Sequence, residues 1–328
     1  MTQSPFDLTV ERVPARPLGS TTMQTGVIGL GCMGLTGVYD IERRDDRRAE
    51  AAVNRALDLG MTYLDTADSF GPFGNEKLIG KALAGRRSDA VLATKVGITG
   101  RADGTYHHNG TPDHIRAAVE QSLRRLQADH LDVYLLQAVD PAVPVEESWG
   151  AMAELVTAGK VRALGIRTTD MSVISAVQRV FPVSVVTAEL SYWHQANLPL
   201  LDWTGARGIA FAASSPLGRG FLTGAIPPSR TFKWTDLRSK LPAFKPEARQ
   251  RAAPVVDRLR QVARAHGVKP GQVALAWLLG RGGHVLPIPG STDPAHVAMN
   301  AGAAHLSLSD EDLGLLAPVQ PQGQPVSG

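Results

Sequence analysis

The stretch TPDHIRAAVEQSLRRLQADHLDVYLLQ, residues 111–137, decides the fold. Thr111 and Pro112 form a helix start, with threonine as the cap and proline at the first helical position. Apolar residues then recur at helical spacing as far as Leu126. After a short polar connection, Leu131–Gln137 is an apolar run of strand length. The stretch therefore predicts an amphipathic helix followed by a buried strand.

The same alternation continues along the chain in both directions. Further amphipathic helices are predicted at Ala49–Leu59 and Glu146–Ala158, and Gly60, Gly85 and Gly159 stand where helices should end. Strand–helix alternation of this kind predicts a parallel sheet, and eight repeats favour closure into a (β/α)8 TIM barrel of the α/β class. The candidate strands are Val27–Gly31, Tyr63–Ala67, Val91–Val96, Leu131–Gln137, Val161–Arg167, Val183–Leu190, Ile209–Ser215 and Val285–Ile288.

The predicted barrel is a single domain that spans residues 15–317, since no linker divides the chain. Residues 1–14 and 318–328 are predicted to be disordered tails. The segment from Gly218 to Pro246 is long and interrupts the alternation, which is typical of a functional loop. In such a barrel we expect the active site at the C-terminal ends of the strands.

Composition excludes several classes of function. The chain has 328 residues, a net charge of +3 and no one-signed basic stripe, so no nucleic-acid partner is expected. Cys32 is the only cysteine, which excludes an internal disulfide, and no ligand spacing predicts a metal site. There is neither a membrane-spanning apolar run nor a signal-peptide core. We expect a cytoplasmic, bacterial protein that acts on a small molecule as a monomer or weak homo-oligomer.

Gly29–Gly34 reads GLGCMG, which matches the glycine pattern of dinucleotide-binding loops. In that fold a helix opens at once after the glycines, and its N-terminus meets the pyrophosphate. Here helical periodicity begins only near Asp45. The pattern is therefore interpreted as a tight turn at the mouth of the first barrel strand.

Several short motifs, in order and at characteristic spacing, resemble those of the aldo-keto reductases and cover roughly residues 17–313. The resemblance implies a barrel that reduces carbonyl compounds with NADPH. The motifs include Leu57-Asp58-Leu59-Gly60, Asp65-Thr66-Ala67-Asp68, Asn75-Glu76, Ala93-Thr94-Lys95, Ser215–Leu222 and Pro287-Ile288-Pro289-Gly290.

The family uses four catalytic residues: Asp, Tyr, Lys and His. Carried over position by position, this sequence keeps Asp65 and Lys95 but has Phe70 at the tyrosine position and Gln137 at the histidine position. Phenylalanine donates no proton, and glutamine forms hydrogen bonds without titrating. Loss of a positioned general acid costs about 10²- to 10⁴-fold in rate.

The resemblance also implies a nicotinamide site with altered partners. Arg167 and Thr168 replace the usual Ser and Asn or Glu, Thr187 replaces a Gln, and Ser214 replaces a stacking aromatic residue. Asp293 stands where a basic residue commonly holds the 2′-phosphate. NADP(H) is therefore the implied cofactor, with binding weakened or lost. The candidate cofactor-binding residues are Ser215, Leu217, Gly218, Arg219, Gly220, Ser291 and Asn300.

Three hypotheses for function remain open. The joint losses favour a repurposed enzyme that uses the Asp65–Lys95 pair for non-redox elimination, isomerisation or cyclisation in secondary metabolism. The alternative is an NADPH-dependent oxidoreductase whose substrate, an activated carbon–carbon double bond or a protonated imine, needs less from a tyrosine. The second alternative is a non-catalytic binding subunit, in which the ion pair serves packing. Candidate pocket residues are Tyr39, His107, His108, Arg167, Trp193 and His194.

Overall fold

The computed structural model describes residues 10–39, 41–100 and 105–317. Most of the predicted N-terminal tail, and all of the predicted C-terminal tail at 318–328, lie outside the described residues. The strands are β1 (Ala15–Pro17), β2 (Gln24–Gly26), β3 (Leu30–Gly31), β4 (Tyr63–Asp65), β5 (Val91–Val96), β6 (Ile98–Gly100), β7 (Tyr106–His108), β8 (Leu131–Leu136), β9 (Val161–Arg167), β10 (Val185–Glu189), β11 (Ala210–Ser214) and β12 (Val285–Pro287). The α-helices are α1 (Asp46–Asp58), α2 (Gly74–Ala82), α3 (Pro112–Leu126), α4 (Val145–Thr157), α5 (Met171–Val180), α6 (Leu198–Gly205), α7 (Pro246–His266), α8 (Pro270–Leu279), α9 (Pro294–Gly302) and α10 (Asp310–Leu315).

Eight of these strands form one parallel sheet in the order β3-β4-β5-β8-β9-β10-β11-β12. Two backbone hydrogen bonds join the first strand to the last. The Gly29 N–H donates to Pro287 O at 2.9 Å, and the Gly31 N–H donates to Pro289 O at 3.2 Å. They close the sheet into the predicted (β/α)8 barrel.

The glycines of the GLGCMG segment serve this closure. A Cβ at Gly31 would lie 2.6 Å from Ile288 O, and a Cβ at Gly29 would lie 2.8 Å from Tyr63 O, closer than real side chains approach. After β3 the chain enters a short 3-10 turn, Met33–Thr36, instead of a long helix. The pattern therefore marks close packing at the barrel seam and is not followed directly by an α-helix.

Side chains alternate between the barrel interior and the surrounding helices. In β8, Val133 and Leu135 belong to the cluster inside the barrel, whereas Tyr134 and Leu136 pack outward among the helices. This is the two-residue period of a strand with both faces buried. The alternation fixes which residue at each strand end points into the mouth.

The N-terminal hairpin β1–β2 covers the opposite end of the barrel. Leu18 is 2% exposed and joins the interior cluster, while the Arg16 guanidinium donates to the carbonyl oxygens of Val27 and Val285. This end is thus covered by apolar and hydrogen-bonded contacts. A second hairpin, β6–β7, follows β5 at the C-terminal side; the sequence analysis treated that region as a loop.

The predicted helices agree closely with the structure. α3 has the predicted bounds, α4 is displaced by one residue, and Thr111 caps α3 through a bond from the His114 N–H. The first strand is shorter than predicted, because residues 27–29 reach the seam through only isolated bonds. As predicted, residues 218–245 interrupt the alternation with short 3-10 turns only.

Candidate active site

The C-terminal ends of the strands place a set of polar side chains around the barrel mouth. Asp65 and Lys95 lie two residues beyond interior positions of β4 and β5, and Gln137 and Arg167 lie two residues beyond Leu135 and Gly165 of β8 and β9. Strand periodicity therefore directs all four toward the mouth. The structure brings together the predicted catalytic residues as the sequence analysis expected.

Lys95 and Asp65 form a buried ion pair. The Lys95 ammonium donates to Asp65 Oδ1 at 2.5 Å and to Thr66 O at 2.8 Å, and the two residues are 2% and 5% exposed. An ammonium has three N–H bonds, so among the described residues one N–H of Lys95 has no acceptor. Asp65 Oδ2 is likewise buried without a hydrogen-bond partner in that part of the chain.

Phe70 lies directly beside this ammonium. Its ring centroid is 5.2 Å from Lys95 Nζ, within the range of a cation–π contact. The ring thus lies next to the lysine. It offers the cation its face but offers a substrate neither a proton nor a hydrogen bond.

Gln137 is held by Ser69, a residue that the sequence analysis did not single out. The Ser69 hydroxyl donates to Gln137 Oε1 at 2.9 Å, and Gln137 is 9% exposed. With its oxygen engaged, the amide NH2 is the part of Gln137 left for a ligand. Ser69 directly precedes Phe70, and this adjacency was the signal available in the sequence.

Two buried carboxylates, Glu76 and Asp68, lie close to the site. Glu76 accepts hydrogen bonds from Thr94 Oγ1 at 2.6 Å and from Arg125 Nε at 2.6 Å. Asp68 is buried close by, and its Oδ1 has no partner among the described residues. Burial, reinforced by the negative charge of Glu76, raises the pKa of Asp68 to about 7. The hydroxyl of Tyr134 is also buried and unpaired there.

The segment after β11, Ser215–Leu222, is the candidate anion-binding loop. Ser215, Gly218, Arg219 and Gly220 all have φ between 49° and 93°, and the N–H groups of Gly218 and Gly220 donate within the loop, to Ser215 O and Leu217 O. A Cβ at Gly218 would lie 3.0 Å from the Trp193 ring. Glycine is therefore required at that position for the loop to pack on Trp193.

Arg219 is fixed by Glu189 at the end of β10. The guanidinium makes two parallel bonds to the carboxylate, at 2.7 and 2.9 Å. Burial lowers the pKa of Arg219, but the hydrogen bonds and charge of Glu189 outweigh that effect, and the net shift is upward. This loop supplies a guanidinium that Glu189 holds in place, and a guanidinium can contribute to binding the pyrophosphate of a dinucleotide.

The nicotinamide side also retains one suitable group. Thr187 is 2% exposed, and its hydroxyl has no hydrogen-bond partner within the described residues. It lies on the interior face of β10, paired in register with Arg167. An unpaired buried hydroxyl at this level can bond a carboxamide. The described residues therefore fit a nicotinamide dinucleotide, although Ser214, half-buried at the end of β11, offers no stacking surface.

At the start of α9 the predicted cap is present. Asp293 Oδ1 accepts from the Ala295 N–H at 2.9 Å, and Asp293 Oδ2 accepts from Arg48 at 2.6 Å. Ser291 accepts from the Asp293 N–H at 3.0 Å, and Asn300 is buried further along α9. The Asp293 carboxylate occupies the helix end at which an anion would otherwise bind.

The predicted pocket residues occupy different parts of the mouth. Tyr39 is half-buried and lies 4.9 Å from the Arg238 guanidinium, which also stacks on Phe232 at 4.6 Å. This stack joins the loop after β3 to the segment before α7. The Leu237 N–H donates to Val38 O across the same junction.

Trp193 packs against Phe221 with ring centroids 4.3 Å apart, which makes it a support of the anion-binding loop. His194 belongs to a turn in which its N–H donates to Ser191 Oγ. His107 and His108 lie on the β6–β7 hairpin. Next to it, the backbone N–H groups of Gly110 and Ala142 donate to Asp140 and lower its pKa. Arg167 is exposed at the end of β9.

The profile of the Aldo/keto reductase family matches residues 27–319. This chain belongs to the aldo-keto reductase family. It is 34% identical over 305 residues to the NADP(+) aldo-keto reductase yakc of Schizosaccharomyces pombe, which covers 91% of this chain and 88% of that protein. It is 32% identical to a probable aldo-keto reductase of Glycine max, over 98% and 93% of the two chains.

Solved structures agree with this aldo-keto reductase fold. A glycerol dehydrogenase of Gluconobacter oxydans superimposes with a TM-score of 0.86 at 25% identity, over 96% of this chain and 98% of that one. An aldo/keto reductase of Klebsiella pneumoniae, solved with NADP and acetate, superimposes with a TM-score of 0.70 at 28% identity, over 93% and 94%. These comparisons favour an oxidoreductase of the family and give no support to the non-redox hypothesis.

Two classes of feature are absent from the part of the chain that the structure describes. No group of three or more His, Cys, Asp or Glu side chains is arranged to hold a metal ion. None of the helices at these positions is both long and apolar enough to cross a membrane.

Proposed function

We propose that this aldo-keto reductase is an NADP(H)-dependent oxidoreductase that reduces activated carbon–carbon double bonds, such as those of α,β-unsaturated carbonyl compounds. The observation that carries the proposal is the remaining N–H of Lys95 beside the Phe70 ring. The ion pair of the family is kept, and the proton donor in front of it is replaced by an apolar surface.

The anion-binding loop with Arg219 would hold the pyrophosphate of the cofactor, and Thr187 would bond its carboxamide. NADPH, when bound, supplies a hydride. Ser214 and Arg167 remove the stacking ring and a carboxamide partner that the family resemblance implies. We therefore propose that the cofactor binds more weakly than in a reductase with those residues, by about tenfold for each lost contact.

The chain's own residues act on the substrate oxygen. When the β-carbon of an enone accepts a hydride, negative charge moves to the carbonyl oxygen. The third N–H of Lys95 and the amide NH2 of Gln137 are donors suited to that oxygen, and donors that are already fixed in place stabilise such charge strongly. Water can then protonate the α-carbon, so the reaction requires no proton from residue 70.

The proposal is tested with a matched pair of substrates, 2-cyclohexenone and cyclohexanone. NADPH is first titrated by its fluorescence, and its oxidation is then followed at a saturating concentration. We expect cyclohexenone to be converted to cyclohexanone, and cyclohexanone itself to be left unreduced. Equal reduction of cyclohexanone, or no NADPH oxidation with any enone of a panel, would contradict the proposal.

A further inference from the structure

Arg167 is a cation at the barrel mouth that the proposed reaction does not use. It ends β9, is exposed, and its side chain makes no hydrogen bond or ion pair with the residues that the structure describes. Most other mouth cations are occupied: Lys95 by Asp65, Arg219 by Glu189 and Arg238 by Asp236. A guanidinium left without a carboxylate in a concave mouth can receive one from a ligand.

The register of the sheet places this cation next to the proposed reaction centre. Leu135 pairs with Gly165 and Leu136 pairs with Ile166 across β8 and β9. One step further, Gln137 and Arg167 are cross-strand neighbours on the interior side. Gly165, directly below Arg167, is a glycine because Leu135 fills the interior there: a Cβ at Gly165 would lie 2.8 Å from the Leu135 side chain.

Three adjacent strand ends therefore present hydrogen-bond donors in a row. Lys95 on β5 has one N–H group without an acceptor. Gln137 after β8 has a free amide NH2, because Ser69 donates to its oxygen. Arg167 on β9 has all the N–H groups of its guanidinium available. Apart from Gln137 Oε1, these three side chains contain no acceptor. A ligand that matches this row carries acceptors at two points, a carbonyl oxygen for the first two donors and a carboxylate for the third.

We infer that Arg167 binds a carboxylate of the substrate, so that the enzyme prefers unsaturated oxo-acids to neutral enones. This inference rests on the proposed function for the reaction, but the carboxylate site itself is independent of it. A planar carboxylate matches a single guanidinium fork, and the two parallel bonds also fix the orientation of the substrate.

Binding is tested first without cofactor, using benzoate and its neutral isostere benzamide as probes in calorimetric titrations of the whole protein. The wild type is expected to bind benzoate more tightly than benzamide, and the preference should fall as salt is added. Arg167→Gln should weaken benzoate binding roughly 10- to 100-fold and leave benzamide unchanged. Arg179→Gln on α5, an exposed arginine away from the mouth, is the matched control and should change neither.

Turnover is then compared for 4-oxo-2-pentenoate and 4-oxo-2-pentenamide with NADPH. Arg167→Gln should raise KM for the acid about tenfold or more, with little change for the amide. Equal binding of benzoate and benzamide, or benzoate binding that survives Arg167→Gln, would overturn the inference. So would a loss of NADPH affinity in Arg167→Gln with benzoate binding unchanged, since Arg167 would then serve the cofactor. Selective benzoate binding in a protein that oxidises no NADPH would refute the proposed function and leave the carboxylate site standing.

Discussion

The Lys95 ammonium and the Phe70 ring face each other at 5.2 Å, across the place where the family resemblance implies a tyrosine hydroxyl. With phenylalanine at this position the ring still packs beside the ammonium, but the tyrosine hydroxyl that would donate a proton to the substrate is missing. We propose that Lys95 itself, with no hydroxyl group between them, donates a hydrogen bond to the substrate. This relationship makes the site testable by single substitutions.

Lys95→Met is expected to abolish turnover, with a loss of at least about 10²-fold, because it removes the charge that stabilises the substrate oxygen. Product formation reports the loss, and circular dichroism reports the fold. Lys77→Met, an exposed lysine of α2, is the control and should retain activity. Near wild-type turnover in a folded Lys95→Met protein would refute the role of Lys95.

The same substitution leaves the buried Asp65 carboxylate without its cation. Removing one partner of a buried ion pair lowers the free energy of unfolding by about 3–5 kcal/mol. We expect Lys95→Met to unfold at a lower denaturant concentration than the wild type. The double variant Lys95→Met with Asp65→Asn removes the isolated charge and should recover part of that stability while remaining inactive. Failure of the double variant to recover any stability would show that the ion pair is not the source of the cost.

Phe70→Tyr should change the kind of substrate that is reduced. The ring already lies beside Lys95, so the added hydroxyl would meet a cation that favours its ionised form. At saturating NADPH we expect reduction of benzaldehyde to rise by roughly 10- to 100-fold, since a general acid is restored. Phe70→Leu serves as the control. If both variants reduce benzaldehyde equally well, the missing hydroxyl is not the reason for the substrate preference.

Asp68→Asn tests the buried carboxyl behind the site. The folded pKa of Asp68 is raised to about 7 from an unfolded value near 4. A raised acid pKa means that the folded protein loses stability as the pH rises from about 4 through 7, because the buried group must ionise. Asparagine cannot ionise, so the free energy of unfolding of the variant, relative to that of the wild type, should increase as the pH rises.

Chemical denaturation at pH 5 and pH 8 measures this gain, which we expect to be roughly 3 kcal/mol at most between these two pH values. Asp113→Asn on α3, an exposed position in the first turn, is a control that should show no comparable change between the two pH values. A constant difference between Asp68→Asn and wild type across this range would mean that Asp68 is already ionised at the lower pH.

Ser214→Tyr should strengthen cofactor binding. Ser214 ends β11 at the mouth, in register with Glu189, and an aromatic side chain there would offer the nicotinamide ring a stacking surface. We expect the Kd for NADPH to fall by about 2- to 10-fold, the usual worth of an aromatic pair. Ser214→Leu controls for added apolar bulk. Unchanged or weaker NADPH binding by the tyrosine variant would show that the nicotinamide does not lie against β11.

The sequence by itself determined the repeating architecture of this protein. Local patterns suffice for that, because a helix such as α3 is specified by its own cap, its own periodicity and its own length, and a strand such as β8 by a short apolar run. The predicted catalytic group, Asp65, Lys95, Phe70 and Gln137, also followed from the sequence. Motif order carries over residue by residue within a family.

Only the tertiary structure decided what those residues contact. The Ser69 bond to Gln137, the unpaired hydroxyl of Thr187 and the free guanidinium of Arg167 each depend on strands far apart in the chain. Gly29 and Gly31 match a phosphate-binding pattern in sequence, but they are needed because the backbone at Tyr63 and at Ile288, both remote in the chain, comes too close for a side chain. These contacts depend on the register of the strands and on burial, and neither can be deduced from the spacing of residues within one segment.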